Sequence, residues 1–319
     1  YLEAAKRAIG GLNNLKESRF YEVLYPFGAY TAAYLNAAHE TFYDVEKMLN
    51  FMFTGCFSGS GRYGWGVTHG KWGPYDVSGL QGSVTDGGGY AFFMNSIEMA
   101  CPLVPMVKYA PEFAVSIGKW MLNNASACRL YYPTEIADAH QFAPELKNLT
   151  YGNVAYEGLR YSDRYGVKNT CPIAEGDGPS WTSKNPTSSM FSLYSTSPVG
   201  ILGAIVNTTN VEGILRLDCN VTDFYAERPY PVNLYWNPYS EEKEVTYIPG
   251  EGMSQGKKAN EIDLFDIVSR TIVAKNISGF GSFKIPAKAA MILVEIPADA
   301  PIKYHDNESL SVNGHIIAY

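Results

Sequence analysis

Residues 231–236 of this chain read PVNLYW, and they separate two kinds of hydrophobic pattern. Before Pro231 the apolar residues recur every three or four positions, which is typical of helices. After it they alternate with polar residues in short segments, which is typical of half-buried strands. Helices followed by strands predict an α+β protein made of two packed modules rather than a βαβ fold.

The helical pattern extends to about residue 225 and is interrupted by a loop-like stretch at 133–190. Asp44 is expected to be the N-cap of one helix, because its carboxylate can accept from a free backbone N–H of the first turn. Short and long connections alternate, which predicts helical hairpins arranged in a ring, a toroid, with the opening hairpins upstream of Tyr1. A plain helical bundle is the alternative. The predicted helices cover 2–12, 26–38, 44–52, 90–104, 111–128, 191–206 and 211–218, the last capped by Asn210.

From residue 229 to residue 319 the sequence predicts a small antiparallel β-sandwich. Turn signals such as Pro249-Gly250 and Asn313-Gly314 separate its strands. The predicted domains are therefore a toroid-like helical domain at 1–228 and the sandwich at 229–319. The strands are expected at 232–236, 244–248, 261–269, 271–274, 281–285, 290–296 and 314–319.

Composition excludes several classes of partner. The 319 residues carry a net charge of −7, whereas nucleic-acid binding needs a basic face. No apolar run approaches the roughly 20 residues that span a bilayer, and the chain shows no signal peptide. The five cysteines are scattered without a CxxC pair, and spacing of the HExxH type is absent, so neither a metal nor a cofactor is expected.

Residues 55–90, GCFSGSGRYGWGVTHGKWGPYDVSGLQGSVTDGGGY, form a glycine-rich stretch between predicted helices. Its aromatic content argues against disorder, and long ordered loops are usually functional. Rings among carboxylates predict a carbohydrate cleft, because sugars stack on aromatic faces and need hydrogen bonds. Residues 151–181 are predicted to form the opposite wall. The predicted stacking rings are Tyr63, Trp65, Trp72, Tyr75 and Trp181, with anchoring in the core as the alternative for the first four.

Two carboxylates are predicted to be catalytic. Asp86 lies in TDGGGY and Glu157 in AYEGLR. Glycoside hydrolysis generally needs two carboxyl groups, about 5–5.5 Å apart for retention and about 6.5–9.5 Å for inversion. The structural alternatives are a helix cap for Asp86 and a surface ion pair with Arg160 for Glu157. Asp76, Glu175 and Asp177 are the reserve carboxylates.

A polysaccharide lyase is the alternative chemistry. It removes the proton beside a uronate carboxylate, which requires a tyrosine or histidine base and an asparagine or arginine to offset the developing charge. Tyr90, His69, Asn95 and Arg160 could supply these groups. A non-catalytic glycan-binding protein is the third alternative, and it is favoured if no two carboxylates of the two walls come within about 10 Å.

Four segments carry a resemblance to a known group of proteins. They are SVTDGGGYAFFMNSIEMACPLVPMVKY (83–109), IGKWMLNNASACRLYYP (117–133), AYEGLR (155–160) and DLFDIVSRTIVAKN (263–276). Together they resemble uncharacterised, secreted-type bacterial proteins related to six-hairpin (α/α-toroid) glycosidases. The resemblance implies a toroid followed by a β-sandwich, an oligo- or polysaccharide as partner, and a periplasmic or extracellular location. Because the toroid hosts lyases and other enzymes too, it implies fold more firmly than chemistry.

Overall fold

The structure, a computed structural model, describes residues 1–54, 65–83, 89–162, 170–176, 196–225, 229–250 and 261–319. Within these ranges the chain combines α-helices with antiparallel sheets, which confirms the predicted α+β class. Within the same ranges no helix is both long enough and apolar enough to cross a bilayer.

The α-helices that the structure describes all lie before residue 206. The predicted N-cap is confirmed, because a carboxylate oxygen of Asp44 accepts from the N–H of Lys47 at 2.8 Å. The helix that follows buries an apolar stripe, including Met48 and Met52, at the spacing of an amphipathic helix. The helices are α1 Leu2–Asn13, α2 Leu24–His39, α3 Val45–Phe53, α4 Phe93–Glu98, α5 Ala100–Met106, α6 Ala114–Cys128, α7 Lys147–Thr150 and α8 Thr196–Ile205.

Replacing Asp44 by alanine is expected to destabilise the start of α3 by about 1 kcal/mol, the usual cost of losing an N-cap. The Lys47 amide, which the Asp44 carboxylate accepts from, should exchange its hydrogen faster. Amide hydrogen exchange measures the change. Asp44→Asn is the matched control, because asparagine caps helices about as well as aspartate. Equal exchange rates in the alanine and asparagine variants would contradict the capping role.

The described part of the glycine-rich stretch, predicted to be a loop, contains strands. Five strands pair antiparallel in the order β1-β4-β5-β6-β7, and β2 pairs with β3 separately. The helix predicted from Tyr90 begins instead at Phe93, directly after β5. The strands are β1 Trp65–Val67, β2 Lys71–Trp72, β3 Tyr75–Asp76, β4 Gln81–Ser83, β5 Tyr90–Phe92, β6 Gly158–Arg160 and β7 Ile173–Glu175.

Two glycines explain why this sheet was missed. A Cβ on Gly82 would lie 1.9 Å from the carbonyl oxygen of Tyr90, and a Cβ on Gly158 would lie 2.2 Å from the Tyr90 ring. Neither position has room for a side chain, so the glycines let β4, β5 and β6 close around a buried tyrosine. Glycine usually weakens a strand, and inside one it marks a close approach of backbone. The same residues that favoured a loop prediction therefore permit the sheet.

The remaining strands form a six-stranded antiparallel sheet in the order β13-β12-β15-β10-β9-β8, a pair β11-β14, and a three-stranded sheet β16-β17-β18. Tyr235 of β10 and Leu264 of β12 share one core with Val245 of β11 and Phe283 of β14. The strands are β8 Val206–Thr208, β9 Leu215–Asp218, β10 Val232–Trp236, β11 Lys243–Tyr247, β12 Ile262–Asp266, β13 Thr271–Ile277, β14 Gly281–Ile285, β15 Ala290–Pro297, β16 Ile302–Tyr304, β17 Leu310–Val312 and β18 His315–Ala318.

All seven strands predicted after Pro231 occur, as β10 to β15 and β18, but the helix predicted at 211–218 is wrong. Its second half is β9, which pairs with β8 and β10. Leu215 and Leu217 also fit a period of two, and burial of Leu217 in the sheet decides between the two patterns. Asn210, predicted to cap the helix, instead accepts from the N–H of Thr246 at 2.8 Å.

Contacts between residues divide the chain into two compact units that alternate along the sequence. The core of unit 1 includes Phe93, Tyr131 and Tyr156, and the core shared by β10, β11, β12 and β14 belongs to unit 2. The predicted domain boundary at residues 228 and 229 stays a prediction. Unit 1 consists of residues 1–29, 44–100 and 123–202, and unit 2 consists of residues 30–43, 101–122 and 203–319.

Candidate functional site

The structure describes part of the predicted site. Of the proposed catalytic pair it describes Glu157, on a half-buried turn that leads into β6. The accessory residues His69, Asp76, Tyr90 and Arg160 are also described, and all of them belong to unit 1. The predicted residues that lie outside the described ranges are Asp86, Asp177, Tyr63 and Trp181.

The two segments predicted to form opposite walls each contribute a strand to one sheet, and these strands, β5 and β6, are neighbours. Tyr90 of β5 is directly opposite Arg160 of β6. At one end of this pair the N–H of Tyr161 donates to the carbonyl of Gly89 at 3.1 Å, and at the other end the N–H of Phe93 donates to the carbonyl of Glu157 at 2.8 Å. The segment that follows Asp86 is thus held against the segment that follows Glu157.

Tyr90, Arg160 and Glu175 form a buried cluster on these strands. The guanidinium of Arg160 donates to the carboxylate of Glu175, and its central carbon lies 4.1 Å from the centre of the Tyr90 ring. The Tyr90 hydroxyl donates to the backbone carbonyl of Glu175 at 3.2 Å. Because the side chains of Arg160 and Glu175 are only 5% and 0% exposed, the cluster joins an ion pair and a cation–π contact inside the unit.

The predicted stacking rings that the structure describes are packed against neighbours. Trp65 is stacked on Phe92 with ring centres 5.2 Å apart, and Trp72 meets the edge of Tyr161 at 5.6 Å. Both tryptophans are buried, as anchors in the core would be. Tyr161 itself is 51% exposed, so it is the ring in this group with a face for a ligand. Tyr161 directly follows the AYEGLR motif, and this position next to Glu157 could have identified it in the sequence as a candidate stacking ring.

His69 and Asp76 are exposed and held by local contacts. A ring nitrogen of His69 lies 2.7 Å from the carbonyl oxygen of Phe53. The carboxylate of Asp76 accepts from the N–H of Ser78 at 2.9 Å. Hydrogen bonds from the side chain and backbone of Ser78 lower the pKa of Asp76, so this group stays ionised and suits a base or an electrostatic role rather than an acid.

Glu98 was missed by the sequence reasoning. Burial raises the pKa of Glu98, and the charge of Glu22 raises it further. Carboxyl groups whose surroundings favour the protonated form recur in acid–base sites. The sequence did contain a signal, since Glu98 is the single charged residue in the segment 91–107, which is otherwise mostly apolar.

A second missed feature lies in unit 2. Lys108 and Asp223 form an ion pair at 2.6 Å, with side chains 10% and 0% exposed. Lys108 also lines a cavity of about 250 Å³. No motif could reveal this pair, because its members are 115 positions apart in the sequence.

Comparison with known proteins adds little. No protein-family model and no curated protein matches the chain. Partial likeness is found to the structure of α-galactosidase I from Mortierella vinacea (13% identity, 29% of this chain, 24% of that chain, TM-score 0.22). It is also found to a protein named as an α-N-acetylgalactosaminidase from Bacillus halodurans (11% identity, 31% and 23% of the two chains, TM-score 0.22). The matched part spans about a quarter of either neighbour, and likeness at this level decides neither fold nor function.

Proposed function

We propose that this protein is a carbohydrate-active enzyme, similar to glycoside hydrolases, that acts on an oligo- or polysaccharide with Asp86 and Glu157 as its carboxylate pair. The observation that supports the proposal is the pairing of β5 with β6, which joins the strand that follows Asp86 in the sequence to the strand that follows Glu157. We further propose that the helices belong to a toroid-type arrangement and that the protein works in the periplasm or outside the cell, as the resemblance implies.

The strand register sets a condition on this pair. Glu157 is opposite Phe93, which lies four residues from Gly89, or roughly 14 Å at about 3.4 Å per residue. Asp86 precedes Gly89 by three residues, which reach at most about 11 Å. A separation of about 5–10 Å between the two carboxyl groups is the condition that this assignment has to meet.

The proposal is tested by hydrolysis of a panel of nitrophenyl glycosides and plant, algal and host polysaccharides. On a substrate that is turned over, Asp86→Asn and Glu157→Gln are each expected to lower kcat by at least about 100-fold, the usual contribution of a general acid or base. Glu135→Gln is the matched control, because Glu135 is an exposed glutamate of the same unit. Parental turnover in either test variant would refute the assignment.

Other outcomes lead to other functions. Products that absorb in the ultraviolet would identify a lyase, for which Arg160 is poorly placed because it is buried against Glu175. Binding of a polysaccharide without turnover would identify a glycan-binding protein. Turnover lost in Glu98→Gln and retained in Glu157→Gln would move the acid–base role to the carboxyl group whose pKa is raised.

A further inference from the structure

Unit 2 contains a cavity of about 250 Å³ whose described lining combines aromatic rings with polar groups. The lining comes mainly from the turn after α5, from the segment before β10 and from the region of β18, so residues far apart in the sequence converge on it. Ligand pockets usually have this composition, with rings for contact area and a few polar groups for orientation. The polar and aromatic lining residues include Lys108, Asn220, Tyr225, Tyr230, His315 and Tyr319.

Asp223 is not part of the lining but accepts hydrogen bonds from several lining residues. Its buried carboxylate accepts from Lys108 at 2.6 Å, from the Tyr109 hydroxyl at 2.8 Å, from the Tyr30 hydroxyl, and from the N–H of Tyr225 at 3.0 Å. Lys108 also donates to the side-chain oxygen of Asn220 at 2.8 Å. One carboxylate thus orients several lining groups before any ligand arrives, and such preorganisation reduces the entropy lost on binding.

Tyr225 is a partly exposed ring at this cavity, and its neighbours contact both ends of the side chain. It is stacked on Tyr34 with ring centres 4.3 Å apart and planes 10° from parallel. Its hydroxyl lies 2.8 Å from that of Thr31, which fixes the other end of the side chain. Since Tyr225 is still 38% exposed, it offers a preset aromatic surface to a ligand. Aromatic residues held in this way are common energetic centres of binding sites.

The charges at the cavity favour a neutral ligand. The ammonium of Lys108 is matched by the carboxylate of Asp223. Burial keeps the pKa values of Tyr109 and Tyr319 above their ordinary range, so both phenols are neutral at physiological pH. A cationic ligand would meet the Lys108 ammonium, and an anionic one would compete with Asp223 for it. Rings beside neutral hydroxyl and amide groups suit a polyol with C–H faces.

We propose that this cavity binds one terminal pyranose residue of a neutral glycan, stacked on Tyr225 and hydrogen-bonded by Lys108 and Asn220. The size agrees with one sugar ring, because pockets for drug-sized ligands are larger, at about 300–1,000 Å³. The choice of a sugar as ligand rests on the proposed function. The lining residues of this cavity belong to unit 2, whereas Glu157 belongs to unit 1.

The test is saturation-transfer NMR, followed by titration, of the whole chain with methyl glycosides of glucose, galactose, mannose and xylose. Choline and methyl glucuronide are the cationic and anionic comparisons. At least one neutral glycoside is expected to bind, more tightly than either charged probe. Tyr225→Ala should raise its Kd about tenfold or more, as truncation of a central aromatic residue does. Tyr304→Ala should leave the Kd unchanged, because Tyr304 is exposed and lies outside the cavity lining.

Tyr225→Phe keeps the stacking ring and shows whether the alanine variant acts through folding. Binding retained in Tyr225→Phe and lost in Tyr225→Ala supports the site. No binding by any neutral glycoside, tighter binding of choline, or equal losses in the Tyr225→Ala and Tyr304→Ala variants would overturn it. The two proposals fail in different ways. If only the enzyme proposal is wrong, the neutral glycoside still binds in a Tyr225-dependent way but no substrate is turned over. If only this binding site is wrong, a substrate is turned over and Glu157→Gln lowers the turnover.

Discussion

Replacing Arg160 by methionine is expected to lower the free energy of unfolding by about 3–5 kcal/mol, the usual cost of removing one member of a buried ion pair. The cost is large because Glu175 is fully buried and its charge remains when the guanidinium is removed. The substitution also removes the cation–π interaction between Arg160 and the Tyr90 ring, whose centre lies 4.1 Å from the guanidinium carbon. Such an interaction contributes about 0.5–2 kcal/mol. Urea denaturation followed by circular dichroism measures the change.

Two controls separate this effect from a general loss of positive charge. Arg129→Met removes an exposed arginine of the same unit, whose ion pair with Glu135 spans 3.9 Å and should contribute at most about 1 kcal/mol. The double variant Arg160→Met, Glu175→Met should recover much of the lost stability, because removing both buried charges leaves none to be solvated. If the double variant were less stable than Arg160→Met, burial of the charge would not be the cause.

Seven of the nine strands that the structure describes after Pro231 were predicted, whereas β16 and β17 were not. Some of the seven have the simple signature of a sheet. In Lys243–Tyr247, for example, Val245 and Tyr247 are buried while Lys243, Glu244 and Thr246 are more exposed. Turn residues such as Asn313-Gly314 then separate one strand from the next. A single sequence is sufficient where the local pattern and the final structure agree, as they do in this strand.

The sheet of unit 1 could not be predicted in the same way. Its strands are three residues long, and their pairing joins Tyr90 to Arg160, 70 positions further along the chain. Gly82 and Gly158 lie inside strands because the Tyr90 residue occupies the space that their side chains would need. The density of glycines indicated a close approach of the backbone in this region. Only the three-dimensional structure shows that the neighbour is Tyr90 on another strand.

The candidate site shows the same limit. The sequence predicted residues 55–90 and 151–181 as opposite walls of a cleft, and the structure pairs β5 with β6 as neighbouring strands of one sheet. It could not show that Trp65 and Trp72 are buried, because tryptophan occurs both in cores and at sugar sites. Nor could it identify Tyr30 and Lys108 as partners of Asp223, because they precede it by 193 and 115 positions. Convergence of distant polar residues leaves no periodic trace in a single sequence.

Replacing Lys108 by methionine is expected to destabilise the protein by about 3 kcal/mol at pH 7, near the lower end of the range for a broken buried ion pair. Asp223 would keep its charge in a buried position, with the ammonium at 2.6 Å removed. The loss stays at the lower end because Tyr30, Tyr109 and the N–H of Tyr225 still donate to this carboxylate. Lys119→Met is the matched control, because Lys119 is an exposed lysine of the same unit.

The pH dependence of this deficit tests the mechanism. Burial alone raises the pKa of Asp223, but Lys108 and the hydrogen bonds outweigh it and hold the pKa below its ordinary value of about 3.8. In the parent, the stabilisation is complete above that ordinary value and is lost as the pH falls through the folded-state pKa. Without Lys108, burial should raise the pKa of Asp223, and protonation then relieves the buried charge. The stability difference between parent and variant should therefore shrink from pH 7 toward pH 3, as measured by urea denaturation. A difference that stays constant or grows over this range would mean that Lys108 contributes by packing rather than by its charge.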